Sequence, residues 1–268
     1  MNINQVVLTS WNLGTAISEM IGSTTLIFLV LMTRYFVAHF FSKKYSFILF
    51  SLGFTISFFI AIIMAWVIGG FINGLGQAAG IVTPLAVILI SFIKNTFVSI
   101  PYVVGFQLIG ALLGSLLFIA VFYAFYNFIG DKINSNFKIE IRKIIETEHL
   151  SFGKHTIKEI IFQFFFVVSL GFIGYLDVIT YGLEVIDKVL ITLTIIFILL
   201  LISSKFNFYL FALTVSVAFL ILQGIFNVFK WQNLAKTLIA FWIQFLTIYL
   251  VSLSLNAIVL ASGRFFEL

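Results

Sequence analysis

The chain has 268 residues, of which 62% are hydrophobic and 9% are charged, and its formal net charge is +5. A soluble domain carries about 25% charged residues, so this composition indicates an integral membrane protein. There is no cysteine, which excludes disulfides, iron–sulfur clusters and thiol catalysis. The three histidines, His39, His149 and His155, have no metal-ligand spacing. We predict no metal, no cofactor and no nucleic-acid partner.

Six apolar segments are long enough to cross a bilayer, which takes roughly 20 residues. The predicted fold class is therefore an all-α integral membrane protein with six transmembrane helices. Two shorter apolar pieces remain, at about 83–95 and about 207–228, and the first is too short to span. The six spans are predicted at about 16–41, 46–71, 101–129, 157–176, 185–204 and 235–260.

The first short piece begins in GIVTPLAVILISF, residues 80–92. Thr83 is expected to cap a helix through its hydroxyl, and Pro84 suits the first helical position, where an N–H would lack a partner. Backbone polar groups cannot stay unpaired in hydrocarbon, so a segment that enters without crossing must be buried or line a cavity. These features predict a re-entrant half-helix, and a capped stub in an interfacial loop is the alternative.

A hydrophilic stretch divides the chain into two halves of three spans each. The predicted organisation is a first repeat over 1–129, a charged connecting loop over 130–158 and a second repeat over 159–268. A re-entrant segment is predicted at about 78–95, and a re-entrant or broken one at about 205–228. The halves are similar in SEMIGSTTLIFLVL and KEIIFQFFFVVSLGF, and again in GFQLIGALLG and AFWIQFLTIYL. Such repeats, each with a short hydrophobic piece, indicate a pore or binding site near the midplane.

Residues 78–114 resemble the first half of the major intrinsic protein family, the aquaporins and glycerol facilitators. Thr83-Pro84-Leu85 stands at the place of the family's Asn-Pro-Ala, and Tyr102, Gln107, Gly110 and Ala111 match its Tyr…Gln…Gly-Ala pattern. Glu19, Gly22 and Thr24 loosely match its Glu-x-x-Gly-Thr opening. The resemblance implies six spans and two re-entrant half-helices in an inverted 3+3 repeat. It also implies a lipid-embedded homo-oligomer, a tetramer, that passes small neutral solutes such as water or glycerol.

The second half departs from the family pattern. The alignment places Leu210-Phe211-Ala212-Leu213 where the family has a second Asn-Pro-Ala and an arginine, so asparagine, proline and arginine are all absent. The pore would therefore offer a hydroxyl and apolar side chains, which disfavour bare ions. The predicted pore and selectivity residues are Thr83, Pro84, Leu85, Leu210, Phe211, Ala212 and Leu213. Glu19, Gln107 and Gln163 are predicted as structural support.

Two other functions stay open beside the channel. Glu19 lies inside a span, where an acid is a functional candidate, so a secondary transporter or transporter subunit using Glu19 is one alternative. A non-conducting scaffold that binds a partner through the 130–158 loop is the other. An enzyme is not expected, because there is no set of paired carboxylates or nucleophile and base. Arg34 and His39 are expected to reach the membrane interface.

The predicted location is a bacterial plasma membrane. The orientation of the chain in that membrane is open. The loops after spans one, three and five, with their flanks, carry twelve of the 15 basic residues, and the opposite side carries Lys94, Lys188 and Arg264. The positive-inside rule would place the twelve in the cytoplasm, whereas the family resemblance implies the reverse. The twelve are Arg34, Lys43, Lys44, Lys132, Lys138, Arg142, Lys143, Lys154, Lys158, Lys205, Lys230 and Lys236.

Overall fold

The computed structural model describes residues 12–42, 44–73, 82–95, 97–129, 137–145, 152–176, 185–204 and 213–262. Within these ranges the structure consists of nine helices. They are α1 (Leu13–Phe40), α2 (Ser46–Asn73), α3 (Pro84–Lys94), α4 (Ser99–Ile129), α5 (Phe137–Ile145), α6 (Phe152–Leu176), α7 (Val185–Ser204), α8 (Leu213–Ile225) and α9 (Trp231–Ser262).

Six of these helices take the places of the six predicted spans. Helices α1, α2, α4 and α9 are long and apolar enough to cross a membrane by length and composition, and α6 and α7 take the places of the fourth and fifth spans. Helix α6 begins at Phe152, inside the segment predicted as a connecting loop, and α5 occupies the middle of that segment. The predicted all-helical membrane fold is confirmed.

Helix α2 runs antiparallel to α1, and α4 runs parallel to it. A Cβ added at Gly22 of α1 would lie 2.9 Å from the Ala65 Cβ of α2, whereas one added at Gly53 would meet Thr33. Gly110 and Gly114 of α4 face successive turns of α1 in the same order. We call the ends of the bundle the Leu13 face, where α1 begins, and the Phe40 face, where α1 ends. Helices α1 and α4 thus begin at the Leu13 face, and α2 ends there.

The second half of the chain repeats these relations from the opposite face. Helices α6 and α9 are parallel, because Gln163 contacts Gln244 and Gly171 faces Val251 and Leu255 further along both helices. The helix contacts also occur in matched pairs: α1 packs on α2 as α6 packs on α7, and α3 packs on α9 as α8 packs on α4. Exchanging the two halves therefore preserves the contact pattern, as expected of an inverted repeat.

Candidate functional site

Helix α3 begins inside the bundle and ends at the Leu13 face. The residue before it, Thr83, follows Val82, whose Cγ2 would lie 3.0 Å from a Cβ added at Gly22 in the first half of α1. Near its other end, Ser91 Oγ lies 3.4 Å from Ser99 Oγ, at the start of α4. Helix α3 therefore runs from inside the bundle back to the face where α2 ends and α4 begins. With eleven residues, α3 is about 16 Å long, roughly half of a 30 Å hydrocarbon core.

The start of α3 follows the sequence prediction except in one hydrogen bond. Thr83 is the N-cap residue with extended backbone, φ −134° and ψ 128°, and Pro84 occupies the first helical position. The expected bond from a first-turn N–H to the Thr83 hydroxyl is absent, so the prediction of a side-chain cap was wrong. Thr83, Pro84 and Leu85 are all buried. The hydroxyl of Thr83 is therefore not committed to capping α3.

A buried carboxylate holds the segment just before α3. The Oε2 atom of Glu19 accepts a hydrogen bond of 2.7 Å from the Val82 N–H and one of 2.8 Å from Gln107 Nε2. Both Glu19 and Gln107 are fully buried. These bonds join α1 and α4 to the backbone that leads into the half-helix, so a backbone donor within the membrane is paired as hydrocarbon requires. The structure thus brings together two of the three residues predicted as structural support.

The held residue has an unusual backbone conformation. Val82 has φ 56°, in the left-handed region, where β-branched residues are genuine outliers. Such conformations cost about 1–3 kcal/mol and persist where the surroundings fix them. Here the Glu19 hydrogen bond and the contact with Gly22 do so. The sequence gives no sign of this strain, because valine at a left-handed position contradicts its ordinary preference.

The third predicted support residue, Gln163, lies in the second repeat. Gln244 Nε2 donates a 3.0 Å hydrogen bond to Gln163 Oε1, and both side chains are buried. This pair joins α6 to α9 as Glu19 and Gln107 join α1 to α4. A neutral amide therefore replaces the carboxylate in the second repeat.

We expect the glutamine pair to stabilise the packing of α6 on α9. In a double-mutant cycle with Gln163→Leu and Gln244→Leu, each single change removes the hydrogen bond and leaves a buried amide behind, whereas the double change removes both polar groups. Interhelical bonds of this kind average about 0.6 kcal/mol with a maximum near 1.7, and the coupling energy should fall in that range. Thermal unfolding of the four proteins in one detergent measures it, and strictly additive effects would contradict the coupling.

The start of α8 corresponds to that of α3. The predicted pore residues Leu210, Phe211 and Ala212 lie outside the described residues, and Leu213 opens α8 as described. Its neighbour Thr214 is fully buried, and Thr214 Oγ1 has no hydrogen-bond partner among the residues that the structure describes. Thr214 was not among the predicted site residues, although a hydroxyl in the first turn of an apolar half-helix was an available signal.

The ends of the two half-helices also correspond. Asn95, which follows α3 as its C-cap residue, has the left-handed conformation with φ 53°, and Asn227 follows α8 with φ 54°. Asparagine is one of the few residues that tolerates this conformation. At the Phe40 face, Gln223 of α8 accepts a hydrogen bond of 2.9 Å from Asn233 of α9. The outward end of α8 is thus attached to the start of the next helix.

Neither Arg34 nor His39 simply extends to the interface as predicted. The guanidinium carbon of Arg34 lies 4.8 Å from the centre of the Phe219 ring, so this cation faces α8 inside the bundle. Cation–π contacts contribute about 0.5–2 kcal/mol, with the larger values where water is excluded. His39 contacts Glu140 of α5. Both side chains find partners within the protein, which solvation at the membrane surface alone does not explain.

The described residues contain no group of three His, Cys, Asp or Glu side chains that could hold a metal ion. Their arrangement is a bundle with two half-helices, α3 and α8, which contact each other and belong to related repeats. Fold and site together define a polytopic membrane protein with a channel-like fold.

Comparison with known proteins supports this class at the level of fold. The chain is similar to the X-ray structure of the aquaglyceroporin from Plasmodium falciparum, with a TM-score of 0.57 and 16% sequence identity over 91% of this chain and 94% of that chain. No protein-family model matches the chain, and no curated protein matches it significantly. The likeness confirms the aquaporin-like fold that the sequence predicted, and at this identity it carries no substrate.

Proposed function

We propose that the chain is a membrane channel for small neutral solutes such as water or glycerol. The observation that carries the proposal is the buried start of α3, held by Glu19 at the depth of Gly22 and followed by a half-helix that returns to the face it came from. A re-entrant segment of this kind is tolerated in hydrocarbon only where protein buries it or where it lines a cavity. A pore between the two repeats would be such a cavity, and the start of α3 would line it.

The electrostatics of the half-helices favour neutral solutes over cations. The N-terminus of a helix carries roughly half a positive charge from its unpaired N–H groups. The start of α3 and the first described turn of α8 are both buried in the bundle. A cation approaching these ends would be repelled, and the neighbouring Leu85 and Leu213 give an anion little compensation for its hydration shell.

The polar groups available at the two starts are hydroxyls. Thr83 makes no cap bond, and Thr214 Oγ1 has no partner within the described ranges. A hydroxyl can both donate and accept hydrogen bonds. The solutes that suit them are small and uncharged, with donors and acceptors of their own. We propose likewise that the predicted pore residues line this channel, that it assembles as a tetramer, and that it lies in a bacterial plasma membrane.

We expect proteoliposomes containing the protein to pass at least one of water, glycerol and urea faster than empty vesicles. Stopped-flow light scattering after an osmotic step measures this permeability. A Thr83→Trp variant should lower this permeability, because the indole ring would fill the space at the start of α3. Leu117→Trp is the matched control, since Leu117 is 44% exposed on the outside of the bundle. Permeability equal to that of empty vesicles for all three solutes would count against a conducting channel.

The Glu19 transporter is the rival hypothesis. The two hydrogen bonds to Glu19 Oε2 support a structural role, because they attach the carboxylate to α4 and to the approach to α3. Uptake driven by a proton or sodium gradient and lost in Glu19→Gln would favour the transporter. Flux that responds to neither gradient would remove it.

A further inference from the structure

Helix α5 lies in the connector between the repeats and is docked onto the bundle through one face. Its residues Ile141, Ile144 and Ile145 are fully buried, whereas Ile139 is 49% exposed and Arg142 is exposed. Burying an isoleucine side chain contributes about 1.5–3 kcal/mol where water is excluded. The connector thus includes a helix whose apolar face is held against the protein.

The docking surface of α5 is the outward end of α8. Gln223 Nε2 donates a 3.1 Å hydrogen bond to the Ile145 carbonyl, and Arg142 Nη2 donates one of 3.4 Å to the Phe226 carbonyl just beyond α8. The Phe137 ring lies between those of Phe122 and Phe226. Helix α5 therefore covers the place where the second half-helix reaches the Phe40 face.

One contact between α5 and the rest of the bundle joins two ionisable side chains. Glu140 is 5% exposed although it belongs to a surface helix, and its Oε2 lies 2.5 Å from His39 Nε2. The other ring nitrogen, His39 Nδ1, lies 3.0 Å from the Tyr35 carbonyl of α1. Both nitrogens of one imidazole thus face an oxygen atom.

This geometry requires a proton between the two side chains. A carbonyl oxygen can only accept, so Nδ1 must carry a hydrogen. The Nε2–Oε2 contact then needs a second hydrogen, either on an imidazolium that faces a carboxylate or on a carboxylic acid that donates to a neutral ring. Without that proton, two lone pairs would face each other in a partly buried site. The docked contact therefore holds one proton more than neutral histidine and carboxylate held apart.

The described helices that pack around the contact bring the following ionisable groups near it. From α1, the Tyr35 ring stacks at 4.3 Å on His39, and Arg34 faces α8. From α4, Tyr123 and Tyr126 contact the Phe137 ring one turn before Glu140. Helix α8 contributes no ionisable residue over Leu213–Ile225. Helix α5 itself carries Lys138, Arg142 and Lys143 beside Glu140.

We propose that His39 and Glu140 form a proton-held clasp that docks α5 over the outward end of α8, and that loss of the proton at raised pH releases α5. The effect on permeation rests on the proposed function: if α8 lines a pore, docked α5 closes its mouth at the Phe40 face and release opens it. The release itself is a property of the fold and does not depend on transport.

The direction of the pH dependence follows from the number of protons bound in the docked and released states. Above about pH 6.5 a histidine held apart is largely neutral, so the docked state binds one proton more than the released state. Stability of the docked state is then lost as pH rises, by up to about tenfold in the docking equilibrium for each pH unit. Below that range the separated histidine is protonated too, and the dependence flattens.

The absence of cysteine gives a direct test. Ile144→Cys places one thiol on the buried face of α5, and Ile139→Cys places one on its exposed face as the matched control. The labelling rates with a maleimide, taken as the ratio of the first variant to the second, cancel the thiol's own pH dependence. We expect the ratio to rise at least about fivefold between about pH 6.5 and pH 8.5, within the tenfold-per-unit limit. A ratio that does not change with pH overturns the clasp.

Glu140→Gln tests whether the shared proton, and not packing alone, makes the docking of α5 depend on pH. Its amide can donate to the Nε2 lone pair of a neutral histidine, so α5 should stay docked and the labelling ratio should become independent of pH. Glu140→Ala removes the contact altogether, and the ratio should be raised at both pH values. Arg142→Ala is the control, because its 3.4 Å bond is exposed and holds no shared proton. A pH response retained in Glu140→Gln overturns the proposal.

Swelling assays at the same pH values distinguish the two proposals. Faster solute flux at high pH in the unmodified protein, with low pH-independent flux in Glu140→Gln, supports a clasp that gates a channel. No flux at any pH in any variant removes the channel and leaves the clasp to be judged on labelling. Flux that ignores pH while labelling responds shows that α5 does not close the pore, which overturns the gating part.

Discussion

Replacing Glu19 by alanine is expected to lower the free energy of unfolding by about 2–6 kcal/mol, because two buried donors lose their acceptor at about 1–3 kcal/mol each. The donors are the Val82 N–H and Gln107 Nε2, which lie 2.7 and 2.8 Å from Glu19 Oε2. The midpoint of heat-induced unfolding in detergent measures the loss. Solute permeability should fall with it, since the segment before α3 would no longer be fixed.

Two milder variants make this prediction specific. Glu19→Gln keeps an oxygen that can accept from Val82, so it should lose less stability than alanine. Gln107→Leu removes one of the two donors and leaves the Val82 bond in place, so it should also fall between the unmodified protein and Glu19→Ala. An alanine variant as stable as the unmodified protein would show that the Glu19 network does not hold the half-helix.

The fold could be predicted from the sequence because its signals are local and redundant. Long apolar runs specify the spans whatever their exact composition, and Thr83-Pro84 marks a helix start through backbone geometry that proline fixes by itself. The second half-helix has no proline, and its predicted start at 210–213 was placed only by alignment to the second Asn-Pro-Ala of the family that the chain resembles. Leu213 opens α8 in the structure, but the remaining predicted residues there lie outside the described ranges.

The contacts between distant residues could not be predicted in the same way. A hydroxyl at the N-cap position indicates a cap, yet Thr83 makes no such bond, since sequence does not say whether a side chain turns toward the helix or away from it. The link from His39 to Glu140 joins residues 101 positions apart. Both look like interfacial residues when read alone, and only the packing of α5 against α1 and α8 brings them together. Pairings of this kind depend on tertiary contacts that no local pattern encodes.

Helices α1 and α4 pack closely at Gly110, where there is no room for a larger side chain. A Cβ added at Gly110 would lie 2.4 Å from the Met20 carbonyl oxygen and 2.8 Å from the Ser23 Cβ. The first of these atoms belongs to the backbone of α1 and cannot move aside as a flexible side chain could. Gly110→Ala should therefore push the two helices apart close to the Glu19–Gln107 bond, because Glu19 adjoins Met20 and Gln107 lies one turn before Gly110.

Gly105→Ala in the same helix is the matched control, because a Cβ added there has nothing within 4 Å. Overpacking costs about 1–3 kcal/mol, while alanine in place of glycine favours a helix by up to about 1 kcal/mol. The helix preference is gained by both variants and cancels between them, so we expect them to differ in unfolding free energy by about 1–3 kcal/mol, with Gly105→Ala at or above the unmodified protein. Equal stability would mean that α1 and α4 can separate at no cost. The Glu19 carboxylate would then not depend on their close approach for its position beside α3.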